Sequence, residues 1–301
     1  MFSIQMAQSP VRAQEAVSPE TEEQATPLQE PLEPVTSEKT KSRIHVSAIL
    51  GDNKEHITSG LVWRVYENVG ENVSPALVEK SAEPSPAFEL PDGQYIIQAA
   101  YGYASTSKRI HVQGAPLTEV LNINAGALKL SGTVGDNPIP SSQISFSVYV
   151  SIGTDMEGRL IVSDGKPGNI IRLPEGTYHI VSTYGDANAI QRTDLKVETG
   201  QVTEAVLNHR AAVVTLKLVA NVGSEAYADT AFSVLTPGGD VVREAIGAFP
   251  RVTLAEGDYM LIARHDNKVY SREFKVEAGL NRDIEVVESK DMTGETTPDQ
   301  D

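Results

Sequence analysis

The chain has 301 residues, with 25 Lys and Arg against 41 Asp and Glu, a formal net charge of −16, and no cysteine. A phosphate backbone is held by clustered positive charge, so nucleic acid is not an expected partner. The missing cysteines remove disulfide scaffolds, thiolate metal sites and cysteine nucleophiles together. No apolar run approaches the roughly 18 residues that cross a bilayer as a helix, so no transmembrane segment is expected.

Residues 1–42 carry Pro10, Pro19, Pro27, Pro31 and Pro34 among Glu, Gln, Ser and Thr. Such a stretch buries too little apolar surface to offset its ordering entropy, and it reads as a disordered acidic leader. Within it, Val11-Arg12-Ala13 before Gln14 has the small-residue ending of a secretory signal, yet Met1 to Met6 is too short for its apolar core. Either the true start lies upstream or the likeness is chance. The upstream start is the favoured reading, and it makes the expected location periplasmic or secreted.

From residue 43 the chain falls into three modules, at 43–124, 125–210 and 211–288, with an acidic tail at 289–301. Each opens on an alternating strand: Ile44, Val46, Ala48 and Leu50 in the first, Leu128, Leu130 and Val134 in the second, Val214, Leu216 and Leu218 in the third. Gly51-Asp52-Asn53 and Gly135-Asp136-Asn137 supply turn chemistry after the first two. A second strand places Trp63, Phe146 and Phe232 at matching positions, where a large ring would dominate the core of so small a unit. The middle of each module varies, with Asp164-Gly165 and Thr236-Pro237-Gly238-Gly239-Asp240 expected as tight turns. These variable loops are where a ligand would be sought.

Next comes the pattern that repeats most closely. It reads Leu90-Pro91-Asp92-Gly93-Gln94-Tyr95, then Leu173-Pro174-Glu175-Gly176-Thr177-Tyr178, then Leu254-Ala255-Glu256-Gly257-Asp258-Tyr259. After each tyrosine the residues alternate, ending on Tyr101, Tyr184 and His265, as a half-buried strand does. A spacing of about 80 residues is long for a solenoid repeat and suits a small β-sandwich, so the fold class is all-β, with three tandem small Ig-like sandwiches. Leu90, Gly93, Tyr95, Leu173, Gly176, Tyr178, Leu254, Gly257 and Tyr259 are read as its structural motif. The links near Ala125-Gly126 and His209-Arg210-Ala211 span only about two to four residues, which predicts a semi-rigid rod.

This order of strands around a Leu-Pro-acidic-Gly-x-Tyr corner resembles the bacterial carboxypeptidase-regulatory-like, prealbumin-type β-sandwich modules, over roughly residues 43–288. The third copy departs from it with Ala255 for proline and His265 for tyrosine. The resemblance implies modules of bacterial envelope and surface proteins that serve in spacing, adhesion or interaction, and not in catalysis.

The six histidines, His45, His56, His111, His179, His209 and His265, show no pair spaced to share a metal; His45 and His111 could meet only if the first and penultimate strands approach. Neither Asp155-Met156-Glu157-Gly158 nor Asp52-Asn53 spaces its acids as a calcium loop does. No nucleophile elbow, zinc-protease helix or phosphate loop is present. The expectation is therefore no catalytic, cofactor or metal site. The chain reads as a non-catalytic envelope protein that acts as a spacer or protein-interaction module, its partner an envelope protein or a polysaccharide. The alternative is a small-ligand or carbohydrate binder that uses the loops of one module. If the leader is processed, N-terminal sequencing of the native protein should begin near Gln14; an intact Met1 in the cytoplasmic fraction would overturn the exported reading.

Overall fold

A computed structural model describes residues 40–288 apart from 69, 71–73 and 153–154, so the leader residues up to 39 and the tail from 289 lie outside the described residues. The first repeat contains β1 (Lys41–Leu50), β2 (Glu55–His56), β3 (Leu61–Glu67), β4 (Ala76–Ser81), β5 (Ala87–Pro91), β6 (Gly93–Tyr101), β7 (Ala104–Val112) and β8 (Leu117–Ile123). The second contains β9 (Ala125–Val134), β10 (Asn137–Pro138), β11 (Ile144–Ile152), β12 (Asp155–Gly165), β13 (Ile170–Pro174), β14 (Gly176–Tyr184), β15 (Ala189–Val197) and β16 (Val202–Asn208). The third contains β17 (Ala211–Val219), β18 (Ala231–Leu235), β19 (Val241–Ile246), β20 (Arg251–Ala255), β21 (Gly257–His265), β22 (Lys268–Val276) and β23 (Arg282–Val287).

Each repeat pairs its strands in the same way. In one sheet the opening strand β1 lies between the closing strand β8, which runs parallel to it, and β5, which runs antiparallel. The other sheet is antiparallel throughout, in the order β4-β3-β6-β7. The second repeat reproduces both sheets, with β9 between β16 and β13 and the order β12-β11-β14-β15. The third does so with β17 between β23 and β20 and the order β19-β18-β21-β22. The fold is an all-β array of sandwiches.

Alternation explains where the cores sit. On β1, Ile44, Val46 and Ala48 turn inward, while Arg43, His45 and Ser47 turn out. Trp63, Phe146 and Phe232 are 0%, 0% and 1% exposed, each in a separate buried cluster with the inward residues of its own repeat. Burying one such ring is worth about 1.5 to 3 kcal/mol, so these three residues contribute heavily to units of this size.

Several expectations are corrected. Lys41 and Ser42 belong to β1 and not to the leader. The variable middle of each repeat holds an edge strand, β4, β12 or β19, paired on one side only. Leu77, Leu160 and Val241 on these strands are exposed, so they lack the clean alternation that marks a half-buried strand. Asp164-Gly165 is not a hairpin turn. Gly165 pairs with Phe146, and the register slips before Val148 pairs with Val162, which is a bulge with Asp164 at φ 53°. Ala125-Gly126 is not a link either, since it opens β9 and leaves only Asn124 between the first two repeats.

Gly126 sits where a Cβ would lie 2.2 Å from the Glu198 carbonyl oxygen and 3.0 Å from that of Gln201. Backbone cannot yield as a side-chain tip can. Gly126→Ala should therefore cost about 1 to 3 kcal/mol in urea unfolding. Gly132→Ala, whose nearest obstacle is the side-chain tip of Ile144 and not backbone, should cost less, and the reverse order would contradict this packing.

Candidate functional site

The repeated motif lies where the chain leaves one sheet and enters the other. β5 pairs with β1 in the first sheet, and β6 begins two residues after Pro91 in the second. Leu90, Leu173 and Leu254 are fully buried at this corner. The hydroxyl of Tyr95 donates to the carbonyl of Pro91 at 3.0 Å, that of Tyr178 to Pro174 at 2.8 Å and that of Tyr259 to Ala255 at 2.9 Å. Gly93, Gly176 and Gly257 lie under these rings, where an added Cβ would stand 3.4, 3.8 and 3.7 Å from the ring carbons. Burial raises the Tyr95 and Tyr178 hydroxyls above their usual range, with Glu67 and Asp92 adding to the effect at Tyr95.

The acidic residue of each corner ties down the turn before the closing strand, or the link beside it. Asp92 accepts from the Gly114 amide at 2.6 Å, Glu175 from the Thr199 hydroxyl at 2.7 Å, and Glu256 from Arg210 Nε at 2.6 Å. The same corners receive the preceding repeat. The Glu175 amide donates to the Asn124 carbonyl and that of Glu256 to the Arg210 carbonyl; the Gly200 amide donates to Ala125 and that of Gly279 to Ala211. At both junctions the link is thus bonded to the corner of the repeat that follows it, while the second bond, Gly200 to Ala125 or Gly279 to Ala211, lies within that repeat.

The tip of the β6–β7 or β14–β15 hairpin completes each junction. The Tyr103 amide donates to the Arg172 carbonyl at 3.0 Å, and the Arg172 guanidinium lies 4.7 Å from the centroid of the Tyr101 ring. Gly102, at φ 65°, approaches so closely that a Cβ would lie 2.6 Å from that of Arg172. At the second junction Gly185 packs on Thr253 in the same manner, and Asp186 bonds Arg243 at 2.5 Å. Asn188 then bridges the corner itself: its Nδ2 donates to the Tyr259 hydroxyl at 2.9 Å, and its Oδ1 accepts from the Ala255 amide at 3.0 Å. The departure from proline at 255 has a use, because proline would have no N–H to donate.

The histidines are dispersed. His45 and His111 lie on strands of different sheets and both face outward, so they do not meet. His179 Nδ1 bonds Asp194 at 2.8 Å, and His265 stacks on Tyr227 at 4.9 Å. Among the described residues no group of three or more His, Asp or Glu is arranged to hold a metal. Asp52 lies in an exposed turn, and the side chains of Asp155 to Glu157 lie outside the described residues. Sequence reasoning missed the junction residues Tyr103, Arg172, Asn188 and Arg243. It also missed a cleft of about 470 Å³ beside the first junction, lined by Tyr103, Arg159, Leu160, Ile161, Pro174 and Tyr178. No periodic signal marks residues that meet only when two repeats dock.

Residues 213–288 match the Rhizobiales growth-associated tandem repeat domain. No curated protein matches the chain. Among solved structures it is similar to the Bacillus anthracis TIE protein, at 18% identity over 82% of this chain and 50% of that one, TM-score 0.25. It thus spans about half the length of that protein. BcpA, the major pilin subunit of Bacillus cereus, follows at 13% identity over 82% and 99%, TM-score 0.24. GBS52, the minor pilin of Streptococcus agalactiae, is 14% identical over 56% and 95%, TM-score 0.29.

Three substitutions test this geometry. Tyr178→Ala should cost about 3 to 5 kcal/mol, as deletion of a buried aromatic does, and Tyr178→Phe about 1 kcal/mol for the lost hydrogen bond. Ala255→Pro should weaken the second junction by about 1 kcal/mol while the corner persists, because proline occupies that place in the other two copies. Urea unfolding checks all three values. A Tyr178→Ala loss under about 1 kcal/mol would contradict the role of the ring.

Proposed function

We propose that the chain is a non-catalytic protein of the cell envelope that acts as a spacer or protein-interaction module, with sandwich domains at 41–124, 125–210 and 211–288. The observation that carries this reading is the repeated junction. One backbone bond from the link to the corner of the next repeat, with a glycine hairpin tip packed on that repeat, holds each repeat against the next, and such bonding restricts rotation where a Gly/Ser-rich linker would allow it. A chain that spends its repeated chemistry on fixing one unit against another is suited to setting a distance or presenting surfaces in register. The nine motif residues are structural in this reading, since each serves a corner. The family matched by residues 213–288 is described as growth-associated, which supports a role in that process.

A second reading, a small-ligand binder, is favoured by the cleft at the first junction, where exposed Tyr103 and Leu160 stand beside Arg159. That cleft draws on two repeats and not on the loops of one.

Affinity capture by the full chain from native envelope, followed by mass spectrometry, separates the readings. A spacer should retain the same envelope partner after Tyr103→Ala, and a ligand binder should lose its ligand. Recovery of the protein only with cytoplasmic material would overturn the envelope assignment.

A further inference from the structure

The link between the second and third repeats contains a buried titratable residue that no structural need explains. His209 follows the end of β16 and is 1% exposed. Its amide donates to the Thr133 carbonyl at 2.7 Å, its Nε2 lies 2.8 Å from the hydroxyl of buried Ser182, and its ring meets that of Tyr184 edge-on at 5.9 Å. Nδ1 makes no well-formed hydrogen bond, the Ala189 backbone being the polar group beside the ring. In the first repeat the same place, the third residue of Leu121-Asn122-Ile123 against Leu207-Asn208-His209, is held by Ile123, also 1% exposed. An apolar residue is therefore enough to close a repeat at its junction.

The surroundings would not welcome a positive charge. β14 presents Ser182 and Tyr184, β15 presents Ala189, and β9 presents the Thr133 carbonyl. The neighbouring titratable groups are Tyr184, Arg210 and Arg251, the last acting on Tyr184 from β20. The carboxylate at this link, Glu256, is already bonded to Arg210. We propose that His209 makes the second junction a pH-sensitive hinge, closed while the imidazole is neutral and loosened on mild acidification.

Burial holds the imidazole below its usual range, and the Ala189 backbone offsets this in part. For a base lowered in the folded state, opening exposes the ring and lets it bind a proton. The closed junction therefore loses stability as pH falls below about 6.5, and the loss ends at the folded value.

The first junction is an internal control. Amide exchange of the full chain, expressed as protection factors, should be compared at pH 7.5 and 5.5. The Glu256 amide, bonded to Arg210 of the link, should lose up to about tenfold in protection over the acidic unit. The Glu175 amide, bonded to Asn124 of the first link, should hold steady. His209→Ile should make Glu256 behave as Glu175 does. If that variant fails to fold, the wild-type comparison and an NMR titration of the His209 ring decide the matter. Parallel changes at both junctions, or a ring that titrates at or above the free-imidazole range, would overturn the proposal.

Discussion

The structure depends on a hydrogen bond that closes a corner. Where each repeat passes from one sheet to the other, a tyrosine hydroxyl reaches back four residues to a backbone carbonyl, at Pro91, Pro174 and Ala255. The bond is worth only about 1 kcal/mol in itself. Its leverage comes from position, because the ring is part of the core and the carbonyl ends the strand that pairs with the opening strand. The corner it closes joins the strand paired with the opening strand to a central strand of the other sheet, and the leucine before the turn is fully buried there.

The corner is also the surface on which the preceding repeat rests. An amide at its acidic residue bonds the link, and an amide of the turn held beside it bonds the residue that opens the first strand of the same repeat. The array therefore needs no separate docking device. The hairpin tips refine this, and they do so differently. Arg172 over Tyr101 gives the first junction a cation–π contact, whereas Asn188 gives the second a pair of hydrogen bonds to Tyr259 and Ala255. Contacts of this kind, spread over backbone and side chains, favour a defined relation between neighbours over a free one.

Ionisable groups are placed with the same asymmetry. The closing position of the first repeat is apolar Ile123, and that of the second is buried His209. After the third repeat, Glu288 accepts hydrogen bonds from Tyr227, Tyr270 and Lys268, which hold its carboxyl below the usual range. Three related ends thus carry an apolar, a titratable and an ionised residue on one scaffold.

The sequence by itself determined the repeat, the three ring positions at Trp63, Phe146 and Phe232, and the opening, tyrosine and closing strands. These follow from alternation and turn chemistry, which act between residues near one another in the chain. It left the edge strands β4, β12 and β19 unread, because a strand open to water at one edge has no need of clean alternation. It placed Asp164-Gly165 in a turn, since the dipeptide suits a turn and a bulge alike. Only the tertiary structure decided the junctions. Tyr103 with Arg172, Asn188 with Tyr259 and Asp186 with Arg243 join residues 57 to 71 positions apart, and no local preference of the chain specifies such pairs. The burial of His209 was decided in the same way, by Ser182 and Tyr184 closing over a link that, read locally, has no reason to be dry.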